Sequence, residues 1–159
     1  MLLTAASAEW ARAAAVSMTG FATSVIGCKC EAGIERELSP EESPDGRPGI
    51  SVLLFAMDKA SLAKRLLERV GQCVMTCPTT ACFSGLESEH GVSVGGKLRY
   101  FGDGYQISKK LAGERMWRIP VMDGEFLVQD RFGVQPAVGG GNLILCGENA
   151  TVTVAAAAA

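Results

Sequence analysis

Three short stretches concentrate the side chains able to do chemistry. In FGDGYQ, residues 101 to 106, two glycines flank Asp103 and keep a carboxylate on an exposed turn. Gly104, Tyr105 and Gln106 follow it, the last two as hydrogen-bonding groups. In GEFLVQDRFG, Glu125 and Asp130 flank a strand-like run next to Arg131. Paired carboxylates do acid–base work where burial drives their pKa values apart, although strand ends also carry acids as ordinary surface. In SPEESPDGRPG, Glu41, Glu42, Asp45 and Arg47 crowd a loop stiffened by proline, and the expectation there is a solubilising loop. A glycine run at 139 to 141 lets backbone pass close to a ligand or another strand. The expected substrate-contacting residues are Asp103, Gly104, Tyr105, Gln106, Glu125, Asp130, Gly140 and Gly141. No residue is assigned as catalytic.

The cysteines at 28, 30, 73, 77, 82 and 146 pose a separate question, because three fall in CVMTCPTTACF. Their spacings are C-x-C, C-x3-C and C-x4-C, with no C-x-x-C knuckle and one histidine, His90. Zinc or an iron–sulfur cluster on Cys28, Cys30, Cys73 and Cys77 would need two strands to meet there. Reduced cysteine packs as a small hydrophobe, so buried thiols are expected, with no metal and no disulfide.

Several functions lack their residues. There is no G-x-S-x-G, no G-x4-G-K-[ST], no H-E-x-x-H and no strand-linked G-x-G-x-x-G. A formal charge of −2 without a basic block argues against nucleic acid or an anionic membrane as partner. No apolar run approaches the roughly 20 residues that span a bilayer. The first residues lack the positive lead of a signal peptide, and Glu9, Trp10 and Arg12 interrupt them. A cytoplasmic protein is expected.

The elements that must carry these residues read as α+β. Ser7 caps a helix over 8–19 that Gly20 ends. Residues 23–36 read as a strand, 37–49 as a loop, and ISVLLFAM as a strand buried on both faces. Asp58 caps a helix with its stripe at Leu62, Leu66, Leu67 and Val70, closed by Gly71. QCVMTCP, 72–78, reads as the next strand, ended by Pro78. This order predicts a ferredoxin-like split βαβ core over 1–78, with both helices on one sheet face. Residues 79–159 are expected to hold a connection, strands at KLRYFGDGYQ and GGGNLILCGEN, a hairpin turning at MDGE, and a helix capped by Asn149 or Thr151.

The ordered strings TAAS (4–7), TGFATSVIGC (19–28), EAGIE (31–35), PEESPDGRPG (40–49) and ERVGQCVMTCPT (68–79) are too specific to be generic. With YFGDGYQ (100–106), WRIPVMDGEFLVQDRFG (117–133) and GGGN (139–142), they resemble the N-terminal half of formylmethanofuran:tetrahydromethanopterin N-formyltransferases. The resemblance implies formyl transfer from a methanofuran-type carrier to a reduced pterin, without a metal or redox cofactor. It also implies two lobes with ferredoxin-like cores, and homo-oligomers or assembly with further lobes or subunits. Family chains begin before TAAS and continue into a second lobe, where the carboxylate proposed as catalytic lies. This sequence is therefore expected to be a fragment of the enzyme. The alternative is a non-catalytic lobe that binds a pterin or furan carrier, or an assembly subunit.

Overall fold

A computed structural model describes residues 1–101, 104–111, 113–122, 124–138 and 143–158. The expected site residues Asp103, Gly140 and Gly141 lie outside the described residues.

The chain opens with β1 (Leu2–Thr4) and α1 (Ala8–Thr19). The Ser7 hydroxyl accepts from Trp10 N at 3.3 Å, and the Gly20 N–H closes the helix on Val16 O at 3.1 Å. β2 (Thr23–Ser24), the short helix α2 (Val25–Cys28) and β3 (Cys30–Leu38) follow. The single strand expected over 23–36 is thus broken. Ser24 Oγ accepts from Ile26 N at 3.2 Å, starting a turn that Lys29 ends at φ +66°. β4 (Gly49–Phe55) then leads to α3 (Lys59–Arg69). Asp58 Oδ1 accepts from Ala60 N and Ser61 N, both at 2.9 Å, which satisfies two N–H groups of the first turn.

β5 (Ala81–Phe83), β6 (Gly91–Ser93), α4 (Gly95–Leu98) and β7 (Ile107–Leu111) come next. After them run β8 (Glu114–Val121), β9 (Gly124–Gln129), β10 (Arg131–Gly133) and α5 (Ala150–Ala158). One eight-stranded sheet has the order β2-β3-β4-β1-β5-β9-β8-β7, and β10 pairs with β6 in a small second sheet. All pairings are antiparallel except β5 with β9.

Register decides which side chains meet the helices. Leu3 lies opposite Ile50 and Cys82, so these three share a face, and Val52 joins them two residues along β4. Together with Ala11, Ala15 and Met18 of α1 and Leu66 of α3 they form one buried cluster. Both helices therefore cover the same face, as the apolar stripes predict. Leu2, Thr4, Ala81 and Phe83 point to the opposite, helix-free face.

The main departure is at 72–78. The expected strand is helical, because α3 runs on into a π turn over Val70–Val74, with Met75 N bonded to Val70 O at 2.8 Å. Leu66, Val70 and Val74 recur every four residues and are buried, so a helical period overrides the β-propensity of the string. Gly71 is buried inside this turn and does not close the helix. The strand lies further on, at β5, so Cys82 and not Cys73 or Cys77 occupies the core strand. KLRYF is also helical, through α4 and a 3-10 turn at Arg99–Phe101. Residues 143–147, expected as strand, are irregular. The hairpin at MDGE is present, with Val121 opposite Gly124. Asn149 caps α5, its Oδ1 accepting from Val152 N at 3.0 Å.

Candidate functional site

Cross-strand pairing lines up one row on the helix-free face: Gly49, Thr4, Ala81, Leu127, Arg118 and Ile107, on β4, β1, β5, β9, β8 and β7. Just beyond this row lie the chain segments that enter or leave those strands. They are 5–7, 43–48, 79–80 and 104–106, and alongside them run residues 119–120 of β8 and 125–126 of β9. Strings scattered from TAAS to GYQ and GEF are thereby gathered at one end of one sheet.

The densest polar cluster there joins three of them. Thr4, fully buried at the end of β1, donates its hydroxyl to Asp45 Oδ2 at 2.8 Å. Arg47 Nε donates to the same oxygen at 2.8 Å, and Nη2 donates to Thr4 Oγ1 at 3.0 Å. Its Nη1 reaches Thr79 O at 2.6 Å. Thr79 has φ +63°, a left-handed conformation unusual for a β-branched residue. Its hydroxyl accepts from Ala6 N at 3.1 Å, tying the same residue to the chain leaving β1. Arg47 and Asp45 side chains are 31% and 16% exposed, so this is a partly buried pair. The loop read as solubilising is a structural clamp at Asp45 and Arg47. Glu42, by contrast, caps the 3-10 turn and pairs with Arg36 at the surface. The missed signal was an Asp-Gly-Arg placed between two strands, with a short polar Thr ending β1.

Of the sequence-derived residues, Gly104, Tyr105, Gln106 and Glu125 come to this same end. Gln106 Oε1 accepts from Gly104 N at 3.1 Å, and Tyr105 is 77% exposed. Glu125 pairs with Arg118, whose Nε donates to Oε2 at 2.8 Å. Both side chains of that pair are 49% exposed, so its contribution to stability is small. Asp130 is elsewhere. β9 ends at Gln129, and Asp130 sits in the bend that follows, at the far end of the strand from Glu125. Its Oδ1 accepts from the indole Nε1 of Trp117 at 2.8 Å. The paired-carboxylate arrangement is therefore not formed between these two residues.

All six cysteines are free thiols, and burial pushes Cys82 up to about 12. Among the described residues, no group of three His, Cys, Asp or Glu side chains is placed to hold a metal ion. No helix among them is long and apolar enough to cross a membrane. Chemically, this end of the sheet carries the Arg47 and Arg118 guanidiniums, each on a carboxylate, with Tyr105 and Gln106 at the β7 edge, four strands from β1. Such groups can position a carbonyl compound and stabilise charge on its oxygen.

A family model described as formylmethanofuran-tetrahydromethanopterin formyltransferase matches residues 1–121. The formylmethanofuran--tetrahydromethanopterin formyltransferase of Methylococcus capsulatus is 58% identical over 156 residues, which are 98% of this chain and 52% of that protein. The formyltransferase/hydrolase complex of Methylorubrum extorquens, solved with methylofuran, superposes at a TM-score of 0.92 and 52% identity. That match covers 98% of this chain and 53% of the other. The formyltransferase structure from Methanosarcina barkeri gives 0.80 at 50% identity, covering 83% of this chain and 45% of the other. The chain spans about half the length of the curated relatives it matches.

Proposed function

The chain belongs to the formylmethanofuran–tetrahydromethanopterin formyltransferase family, and on that premise we propose that it is part of an enzyme moving a formyl group between these two carriers. The observation that carries the reading is 58% identity sustained over 98% of the chain. In the transfer, the pterin N5 attacks the formamide carbon and the carbonyl electron pair moves onto oxygen. Collapse of that intermediate breaks the bond to the furan carrier's nitrogen, which leaves as an amine carrying the proton that N5 gives up. One amide is exchanged for another at constant oxidation state, so the reading includes no cofactor.

The eight sequence-derived residues enter this reading as carrier contacts. Tyr105, Gln106 and Glu125, with Asp103 and Gly104, would meet the reacting end. Asp130 would meet a different part of a carrier, as would Gly140 and Gly141. No residue is assigned the proton transfer. The strand order β3-β4-β1-β5, with α1 and α3 on one face, supports a ferredoxin-like split βαβ core. The core then closes at Phe83 rather than at residue 78, and the remainder extends it through the β7–β9 hairpins. We place the protein in the cytoplasm, and in an assembly with further lobes or copies. The complex in which the Methylorubrum structure was solved supports the latter.

The test is formyl transfer between the two carriers, measured with the protein translated from the whole reading frame and with these 159 residues alone. Transfer by the former and little or none by the latter is expected. A whole protein that binds a carrier but transfers nothing would establish a non-catalytic binding lobe and overturn the reading.

A further inference from the structure

The end of the sheet opposite the Thr4 cluster holds a cavity of about 610 Å3, a volume within the range of small-molecule sites. It opens where β5 and β9 both finish and where β1 and β8 begin. Its polar wall is fixed by hydrogen bonds. Ser84 N donates to Gln129 Oε1 at 2.9 Å, and Gln129 Nε2 donates to Glu114 Oε2 at 3.2 Å. Gly133 N donates to Ser84 Oγ at 3.0 Å, and Ser88 Oγ donates to Val134 O at 2.8 Å. The loop after β5 is thus tied to β10 and to the chain leaving it. Arg131 is held as well: its stem crosses β6 at Gly91, where any Cβ would run into it, and Nη2 donates to Glu89 O at 2.9 Å.

Glu87, Glu114 and Arg131 all line this space, yet none of them takes part in the ion pairs formed among the described residues. Asp130 N donates to Arg115 O at 2.8 Å, which brings the adjoining residues Arg131 and Glu114 close together. Opposite charges therefore share one cavity without closing on each other. A simple cation would face the guanidinium, and a simple anion would face two carboxylates. A ligand with one negative and two positive groups meets all three, and the filled cavity is then neutral. Leu2 and Leu86 add apolar surface of the kind that covers the alkyl stem of a long charged side chain.

We propose that this cavity binds a free basic α-amino acid of the lysine type. Arg131 donates to its α-carboxylate, and Glu114 accepts from its α-ammonium. Glu87 accepts from the side-chain ammonium, with the alkyl stem lying on Leu2 and Leu86. Glu114 has room for this bond besides the one from Gln129, since each carboxylate oxygen accepts more than once. Such a ligand takes no part in formyl transfer, and it meets the protein at the far end of the sheet from Tyr105 and Gln106. The site is a second one, independent of the proposed activity.

The probe is L-lysine, titrated by calorimetry into the protein translated from the whole reading frame. Saturable binding is expected. L-Norleucine, which lacks the side-chain ammonium, and cadaverine, which lacks the carboxylate, should each bind at least tenfold more weakly. Glu87→Gln should erase the preference for lysine over norleucine, and Arg131→Gln the preference for lysine over cadaverine, in variants whose thermal melts show them folded. The three ligands on the unmutated protein decide the matter where a variant does not fold. No saturable binding of L-lysine, equal affinity for lysine and either analogue, or unchanged lysine binding in both folded variants overturns the site. Formyl transfer without lysine binding refutes this site alone, and lysine binding without formyl transfer refutes the transfer reading alone.

Discussion

Arg47 bonds to three separate segments: its own loop through Asp45, β1 through Thr4, and the entry to β5 through Thr79 O. Replacing it with methionine keeps the stem but leaves Asp45 without its cation and the Thr79 carbonyl without that donor. Arg47→Met should cost about 1–3 kcal/mol, the penalty for stranding partly buried polar groups, read as a lower denaturation midpoint at unchanged m-value. An unaltered midpoint would reduce the cluster to surface decoration. Cys82 makes the second prediction at this scale. Desolvation lifts its thiol from 9.0 to about 12 in the fully buried site. A folded-state pKa above the unfolded one gives stability that is present below pH 9 and is lost as pH rises towards 12. The loss amounts to about 4 kcal/mol at most, from roughly 1.4 kcal/mol per unit. Denaturant midpoints should therefore fall steeply above pH 9, and Cys82→Ala should flatten that slope. At this scale the sequence was informative about type and poor about partners. Asp58 and Ser7 announced themselves as caps because capping is local. The Arg47 contacts to Thr79 and Thr4 join residues more than thirty positions apart and leave no periodic trace.

At the scale of elements, β4 and β1 meet with almost no slack. A Cβ at Gly49 would stand 2.7 Å from Leu3 O and 3.1 Å from Thr4 Cγ2. Gly49→Ala should therefore destabilise the protein by about 1–3 kcal/mol through forced separation of the two strands. Thermal melts of the variant and the parent check this, and equal melting temperatures would show that the strands can part at no cost. Both long helices were legible because each has a cap and a stripe. The string QCVMTCP was not, because short apolar runs fit a buried strand or a buried helical turn equally well. What decided between them was Leu66, Val70 and Val74 lining up under a helix that had not ended. KLRYF failed for a related reason, since its aromatic, β-prone residues sit in two short turns set by tertiary packing.

At the scale of the whole molecule, the sequence carried the α+β class and the helix-covered face, but not a sheet of eight strands. Nothing in Ala81–Phe83 marks it as the strand to which β9 attaches, because parallel pairing is specified by the rest of the fold. That joint, Ala81 with Leu127 and Cys82 with Val128, links segments far apart in sequence. The β7–β8–β9 meander, in contrast, is closed by short local turns. Loop closure must be completed before the distant pairing is rewarded, so the meander is free to form early while its docking comes late. The reverse event follows the same seam: the molecule should open first along β5–β9, releasing the meander as a unit. Native-state hydrogen exchange at low denaturant should then show Ile119 and Trp117 amides opening together at a lower free energy than those of Leu3 and Val52. A common opening free energy for both groups would mean the seam is as strong as the rest. A weak seam has a practical side for a protein whose polar clusters sit on either side of it. Small shifts of the meander against β1 would change the distance between the Arg118–Glu125 pair and the Arg47 clamp, while leaving each internally intact.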